Sequence, residues 1–123
     1  MSGIEVIEQH IDLNETQRHQ LEQYQSLLVK WQKAINLISS KTLNASWTRH
    51  FLDSAQIIQY MPRDAKIYFD LGSGAGFPGL VAAILKPSLQ TYLIESDERK
   101  SQFLRTVIRE IDLCNAQVIN TRI

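Results

Sequence analysis

The sequence is short of cysteine, of long apolar runs and of any excess of one charge, and each shortage removes a class of protein. Its single cysteine, Cys114, has no partner for an internal disulfide. A disulfide-stapled fold and a zinc cluster of several cysteines are therefore both excluded. The longest unbroken apolar run covers residues 80–85, far below the ~20 residues a bilayer-spanning helix needs. The amino-terminal stretch has no basic start followed by an apolar core and a small-residue cleavage site. These features point to a cytoplasmic, globular chain with no membrane partner. The 13 Lys and Arg residues balance 13 Asp and Glu residues. A protein that grips nucleic acid by bulk charge is usually strongly basic, so an RNA-binding role here requires a local basic patch or a larger assembly. What is present is 44% hydrophobic residues in 123, enough for one domain with a buried core.

Two periodicities divide the chain. Residues 1–62 read as helical. Asn14 and Gln17 form a capping-box pattern ahead of Leu21, Tyr24, Leu27, Leu28, Trp31 and Ile35, which share one helical face. Residues 36–44, rich in Ser, Asn and Thr, read as a connection. A second helical stretch carries Trp47, Phe51, Leu52, Ile57 and Ile58 and stops at Pro62. From residue 63 the order becomes strand (67–69), glycine turn (72–76), helix (78–86), strand (92–94), helix (97–111) and strand (116–119). That is the βαβαβ signature of a parallel α/β sheet. Three strands are half of a doubly wound sheet. The expectation is a fragment, a truncated form or a chain that completes its sheet by association, the first being favoured. The third strand is then expected near the sheet's middle with an open edge.

The strongest chemical signal is Asp70-Leu71-Gly72-Ser73-Gly74-Ala75-Gly76, set between a strand and a helix. Glycines there let the backbone turn sharply and let a ligand approach it closely. Glu95 ends the next strand, where an acidic side chain accepts hydrogen bonds from ribose hydroxyls. Together they predict a nucleoside-containing cofactor at the carboxyl ends of the strands. A dinucleotide fingerprint wants G-x-G-x-x-G, and its third glycine position is occupied by Phe77. The G-x-G-x-G form with an upstream acid suits S-adenosylmethionine, which has no pyrophosphate to seat.

Three segments in order, Trp31-Gln32-Lys33-Ala34-Ile35-Asn36-Leu37-Ile38-Ser39, Arg49-His50-Phe51-Leu52-Asp53-Ser54 and the glycine loop through Phe77-Pro78-Gly79, resemble the bacterial small-subunit (16S) ribosomal RNA methyltransferase G family, also called glucose-inhibited division protein B. The resemblance runs through essentially the whole chain. It implies an α/β fold: a partial class I methyltransferase (Rossmann-like) parallel sheet over residues 63–123, preceded by an N-terminal helical extension over 1–62. It implies S-adenosyl-L-methionine as cofactor and methyl transfer to guanine N7 of 16S ribosomal RNA, in the small ribosomal subunit, by the complete enzyme. Carried over by position, it implies cofactor contacts at Gly72, Phe77, Glu95 and Ile123, the last beside the adenine, and the glycine turn itself adds Gly74 and Gly76 to the expected cofactor-binding residues. The alternatives are a NAD-dependent oxidoreductase fragment, which would want glycine at Phe77 and does not explain the helical extension, and a non-catalytic RNA-binding or assembly module.

Other polar residues have plainer readings beside functional ones. Arg49 and His50 could face the cofactor-site mouth or RNA, or, with Asp53, form a hydrogen-bonded link between the helical part and the sheet. His10 and His19 read as solvated helix residues, and no histidine–carboxylate spacing suits a metal. Arg99, Lys100, Arg105 and Arg109 form either a basic face for RNA phosphates or an ordinary charged helix face shared with Glu98, Glu110 and Asp112. Trp31 and Trp47 read as core anchors, and Cys114 as a buried or half-buried thiol.

Overall fold

The computed structural model describes residues 3–122. Ile123, one of the expected cofactor contacts, lies outside the described residues. The helical part opens with a short helix α1 (Glu5–Glu8) and the long α2 (Glu15–Gln32). Asn14 caps α2 as its sequence requires: its side chain accepts from Gln17 N–H at 2.7 Å, and the Gln17 side chain accepts from Asn14 N–H at 3.1 Å. This reciprocal pair satisfies two amides that a helix start otherwise leaves open. The expected 36–44 connection contains a helical turn, α3 (Ser40–Leu43), because Ser39 caps it through Lys41 N–H. A π-helical segment (Trp47–Leu52) runs directly into α4 (Asp53–Ile58).

Strands β1 (Ile67–Leu71), β2 (Gln90–Glu95) and β3 (Ala116–Asn120) alternate with helices α5 (Gly79–Leu85) and α6 (Glu98–Glu110). The strands are parallel in the order β1-β2-β3, with Asp70 opposite Leu93 and Glu95 opposite Asn120. Two crossovers of one hand, each stepping one strand in the same direction, deliver this order and put both helices on one face. Tyr68, Asp70, Thr91 and Leu93 point toward those helices, and α2 packs over both of them. The core lies between: Tyr24, Leu28, Phe51, Leu80, Ile84, Leu93, Phe103 and Leu104 are fully buried.

Among the described strands β3 has a partner on one side only, the open edge expected of it, and its outward Gln117 is polar and exposed. The apolar side chains that the sheet leaves open are those of β1, where Ile67, Phe69 and Leu71 are 60%, 58% and 62% exposed. They point away from the helices by strand alternation, and Phe69 stacks on Tyr92 at 5.1 Å. One expectation is corrected: the turn after α6 leaves Cys114 exposed rather than buried or half-buried. Trp31 and Trp47 are half-buried, packed against the core and set against Phe103 and Phe51 respectively.

Asn115 and Thr91 are neighbouring buried polar side chains with opposite fates. The Asn115 amide donates to the carbonyls of Ala83, Lys86 and Leu89 at 2.9, 3.1 and 2.9 Å, closing the end of α5 against the start of β3. Thr91 is fully buried and its hydroxyl has no hydrogen-bond partner. Asn115→Ala should therefore lose ~2–4 kcal/mol in urea unfolding, because buried carbonyls lose their donor. Thr91→Val, the same shape without the unpaired hydroxyl, should gain up to ~1 kcal/mol. A loss in the valine variant would show that the hydroxyl is satisfied in solution.

Candidate functional site

The turn between β1 and α5 is built by hydrogen bonds that consume nearly every polar group it contains. Gly72 N–H and Ser73 N–H both donate to Ile94 O, at 2.8 and 3.2 Å, which staples the turn's entry to the end of β2. Gly76 N–H donates to Ser73 O at 2.7 Å, and Ser73 Oγ donates to Asp70 O at 2.9 Å. Gly72, Gly74 and Gly76 all have positive φ, of 71°, 55° and 98°, a region other residues enter only at a cost. Their surroundings differ. A Cβ on Gly76 would meet Tyr24 Oη at 2.6 Å, so packing demands glycine there. A Cβ on Gly74 would meet nothing nearer than Gly72 O at 4.0 Å, so the main chain at Gly74 faces open space that a ligand could occupy.

Two carboxylates flank this turn in different environments. Asp70 sits beneath it, 7% exposed, and its Oδ2 accepts from Gly79 N–H, the first residue of α5, at 3.0 Å. Burial pushes its pKa up from 3.8 to about 6, against the Gly79 and Ser73 hydrogen bonds that hold it down, with the Glu95 charge adding to the rise. Glu95 sits at the open end of β2. Its Oε1 accepts from Gly74 N–H at 2.6 Å and its Oε2 from Asp97 N–H at 2.9 Å. A carboxylate offers about four lone-pair sites, so acceptor capacity remains on both oxygens for hydroxyl donors such as those of a ribose. Asp97 itself caps α6 through Lys100 N–H at 3.0 Å.

Four of the expected contacts, Gly72, Gly74, Gly76 and Glu95, thus converge at the carboxyl ends of β1 and β2. Phe77 is engaged elsewhere. Its ring stacks with Tyr24 at 5.4 Å and with His50 at 5.1 Å, and meets Phe51 edge-on at 5.0 Å. Half-buried, it ties the turn to the helical extension. His50 lies on the π-helical segment and its Nε2 is 2.9 Å from Thr42 Oγ1. Burial lowers its pKa below 6.5, with Arg49 adding to the effect and Asp53 opposing it, so the ring stacked on Phe77 is neutral at pH 7. Asp53 is exposed and makes no bridge to the sheet among the described residues, which removes the linking role considered for it. His10 and His19 are exposed on the surface.

Sequence reasoning missed Tyr24. It scored as one apolar position on a helical face, yet its hydroxyl donates to Ala75 O at 2.6 Å in a fully buried contact. Nothing in the spacing links residues 51 positions apart.

The arrangement also bears on which ligands fit. Dinucleotide folds seat a pyrophosphate against the helix that follows the glycine turn. Here the Asp70 carboxylate already takes the first amide of that helix, and the amides of Gly72, Ser73, Gly74 and Gly76 donate within the protein. A nucleoside without a pyrophosphate suits this turn better.

The family model described as GidB, rRNA small subunit methyltransferase G, matches residues 17–123. The chain belongs to this family. Among curated relatives, the ribosomal RNA small subunit methyltransferase G of Cereibacter sphaeroides is 43% identical over 117 residues, covering 92% of this chain and 56% of the relative. The protein of the same name from Parvibaculum lavamentivorans is 54% identical over 89 residues, 70% of this chain and 39% of the relative. That of Rhodospirillum rubrum is 48% identical over 103 residues, 84% and 47%. The chain spans about half the length of the curated relatives it matches. Among solved structures, a precorrin-6y C5,15-methyltransferase from Geobacter metallireducens superposes with a TM-score of 0.53 at 16% identity, over 72% of this chain and 42% of that one. That likeness concerns the fold: the three-stranded sheet and its crossover helices are those of a class I methyltransferase, and in this member of the methyltransferase G family the helical extension packs onto them.

Asp70 gives the turn a pH dependence with a definite sign. Its raised folded-state pKa means that ionisation is harder in the fold than in the unfolded chain. Its contribution is fully present below ~4 and is lost as pH rises through about 6. Urea unfolding should show a gain of roughly 1–3 kcal/mol from this group on going from pH 7.5 to pH 4.5. Asp70→Asn keeps an acceptor for Gly79 N–H and should flatten that part of the profile. Parallel wild-type and variant profiles would contradict the assignment.

Proposed function

We propose that the chain carries the cofactor-binding part of an S-adenosyl-L-methionine-dependent enzyme that methylates guanine N7 in 16S ribosomal RNA. The observation that carries the cofactor reading is the Glu95 carboxylate, buried at the end of β2 and joined to Gly74 N–H at 2.6 Å beside the open main chain of the turn. The names of the relatives support ribosomal RNA as substrate, and the resemblance in the three motifs supports N7 as the accepting atom. No helix among the described residues is long and apolar enough to cross a membrane, which fits a ribosomal substrate.

The residues divide the work. Glu95 would accept the cofactor's ribose hydroxyls with the lone pairs that Gly74 and Asp97 leave free. Gly74 would let the cofactor lie against the main chain, and Gly72 and Gly76 hold the turn in shape. Phe77 and Tyr24 stiffen the wall on the side of the helical extension. When bound, S-adenosyl-L-methionine supplies an electrophilic methyl group on a sulfonium. An accepting N7 would supply its own lone pair as the sulfonium S–CH3 bond breaks and sulfur leaves as a neutral thioether. N7 has no proton to lose, so the residues of the turn would serve to hold and align the cofactor rather than to move a proton. A dedicated general base is not required by this chemistry. The nicotinamide alternative meets two obstacles, Phe77 at the third glycine position and the Asp70 carboxylate against α5.

Calorimetric titration with S-adenosylhomocysteine, with NADH as the competitor ligand, tests the cofactor reading. Binding of the former should weaken by roughly 10–100-fold in Glu95→Ala, the scale of one or two hydrogen bonds to a charged group. Preference for NADH would overturn the reading. The substrate reading is tested by incubating the full-length protein with unmethylated 16S ribosomal RNA and digesting the product to nucleosides. Mass spectrometry should find 7-methylguanosine, and a methyl group on any other base would correct the assignment.

A further inference from the structure

The four basic residues of α6 do not form one face. Arg105 lies 3.9 Å from Glu98 and Arg109 3.6 Å from Glu110, so the distal pair has acidic neighbours. Arg99 and Lys100 turn the other way, toward the end of α2. There they meet Lys33, which the sequence reading had not singled out. These three residues, with Gln32, Asn36 and Asp97, line a cavity of about 380 Å³.

Three features make this cavity anion-selective. First, the ion pairs of the described residues involve Arg18, Arg105 and Arg109, and none involves Lys33, Arg99 or Lys100. Secondly, the lining holds three cations against one carboxylate, Asp97, one oxygen of which caps α6 through Lys100 N–H. Thirdly, Arg99 is oriented: its Nη2 donates to Ala34 O at 2.9 Å, which fixes the guanidinium plane and leaves its other N–H groups for a ligand. The chain's charge is balanced overall, so three cations outside any ion pair against one carboxylate are a local concentration. The position is equally informative. Asp97 N–H donates to Glu95 Oε2, so the cavity adjoins the candidate cofactor site at the same end of the sheet.

We propose that this cavity, through Lys33, Arg99 and Lys100, holds a backbone phosphate of the substrate RNA and thereby sets how the RNA lies across the cofactor site. The inference rests on the reading of RNA as substrate. A phosphodiester fits the cavity's size, its polar lining and its cations, and a backbone contact positions RNA without reading its sequence. The half-buried Lys100 and the exposed Lys33 act as charge, and the planar Arg99 supplies directed donors.

The test is fluorescence anisotropy of a labelled single-stranded RNA against the wild-type chain, Lys33→Gln, Lys100→Gln and the double variant, over a series of salt concentrations. Arg105→Gln/Arg109→Gln serves as a control with the same loss of charge on the same helix. S-adenosylhomocysteine affinity is measured for each by calorimetry. Neither lysine side chain has a hydrogen bond or ion pair to lose within the described protein, so thermal melts should be unchanged. The expected result is RNA affinity lowered by roughly tenfold in the double variant, with the log–log salt slope shallower by up to ~0.7, the value of one phosphate contact on a single strand. The control pair should change both quantities less, and S-adenosylhomocysteine binding should stay at the wild-type level. Equal losses in the control pair, an unchanged affinity and slope in the double variant, or no RNA binding by the wild-type chain would each overturn the proposal. Failure to bind S-adenosylhomocysteine would instead overturn the cofactor reading and leave the RNA result legible by itself.

Discussion

The hydrogen bond from the Tyr24 hydroxyl to the Ala75 carbonyl is the contact on which the two parts of this molecule depend. It is buried, 2.6 Å long and joins the middle of α2 to the tip of the glycine turn. Burial raises the hydroxyl's pKa well above 10, so it is a donor at any physiological pH. The amides of Gly72, Ser73, Gly74 and Gly76 are spent on Ile94, Glu95 and Ser73, and the Tyr24 hydroxyl supplies the Ala75 carbonyl with its donor. A buried carbonyl without a donor costs about as much as a whole hydrogen bond is worth. The helical extension is therefore part of the site's construction, and the Phe77 ring stacked on Tyr24 and His50 extends the same joint.

Around that joint two carboxylates have been given different work by their surroundings. Asp70, under the turn, shares its one close amide with the start of α5 and is costly to ionise. Glu95, at the rim, is held by two amides from two different segments and keeps acceptor capacity toward the open side of Gly74. The first stabilises the shape of the turn and the second offers its oxygens outward. Glu95 lies two residues beyond Leu93, the partner of Asp70 across the β1–β2 pair, and its charge adds to the rise in the Asp70 pKa.

The candidate cofactor site and the cavity lined by Lys33, Arg99 and Lys100 lie at the same end of the sheet. The balanced composition hides a cluster of three cations beside the rim: Arg105 and Arg109 are ion-paired, while Lys33, Arg99 and Lys100, which share their cavity with Asp97, are in none of the ion pairs of the described residues. The opposite sheet face leaves Ile67, Phe69 and Leu71 open. The contrast illustrates a general point: net charge bounds bulk behaviour, whereas recognition depends on which charges are left unpaired at one place.

By itself the sequence determined what is local or periodic. The Asn14–Gln17 box, the alternation of strand and helix after residue 63, the glycine turn and the acid closing β2 are set by residues a few positions apart, where backbone geometry leaves few choices. The family motifs lie in the same segments. Tertiary structure alone decided the rest. It left the outward apolar side chains of β1 open, since what covers a strand's face depends on how helices pack on the sheet. It exposed Cys114 and Asp53, whose burial depends on packing that no local pattern encodes. It made Tyr24 a hydrogen-bond donor to a residue 51 positions away, and it brought Lys33 to Arg99 and Lys100. Such contacts are properties of two surfaces meeting, and composition or spacing along one strand of sequence carries no record of which surface the other will be.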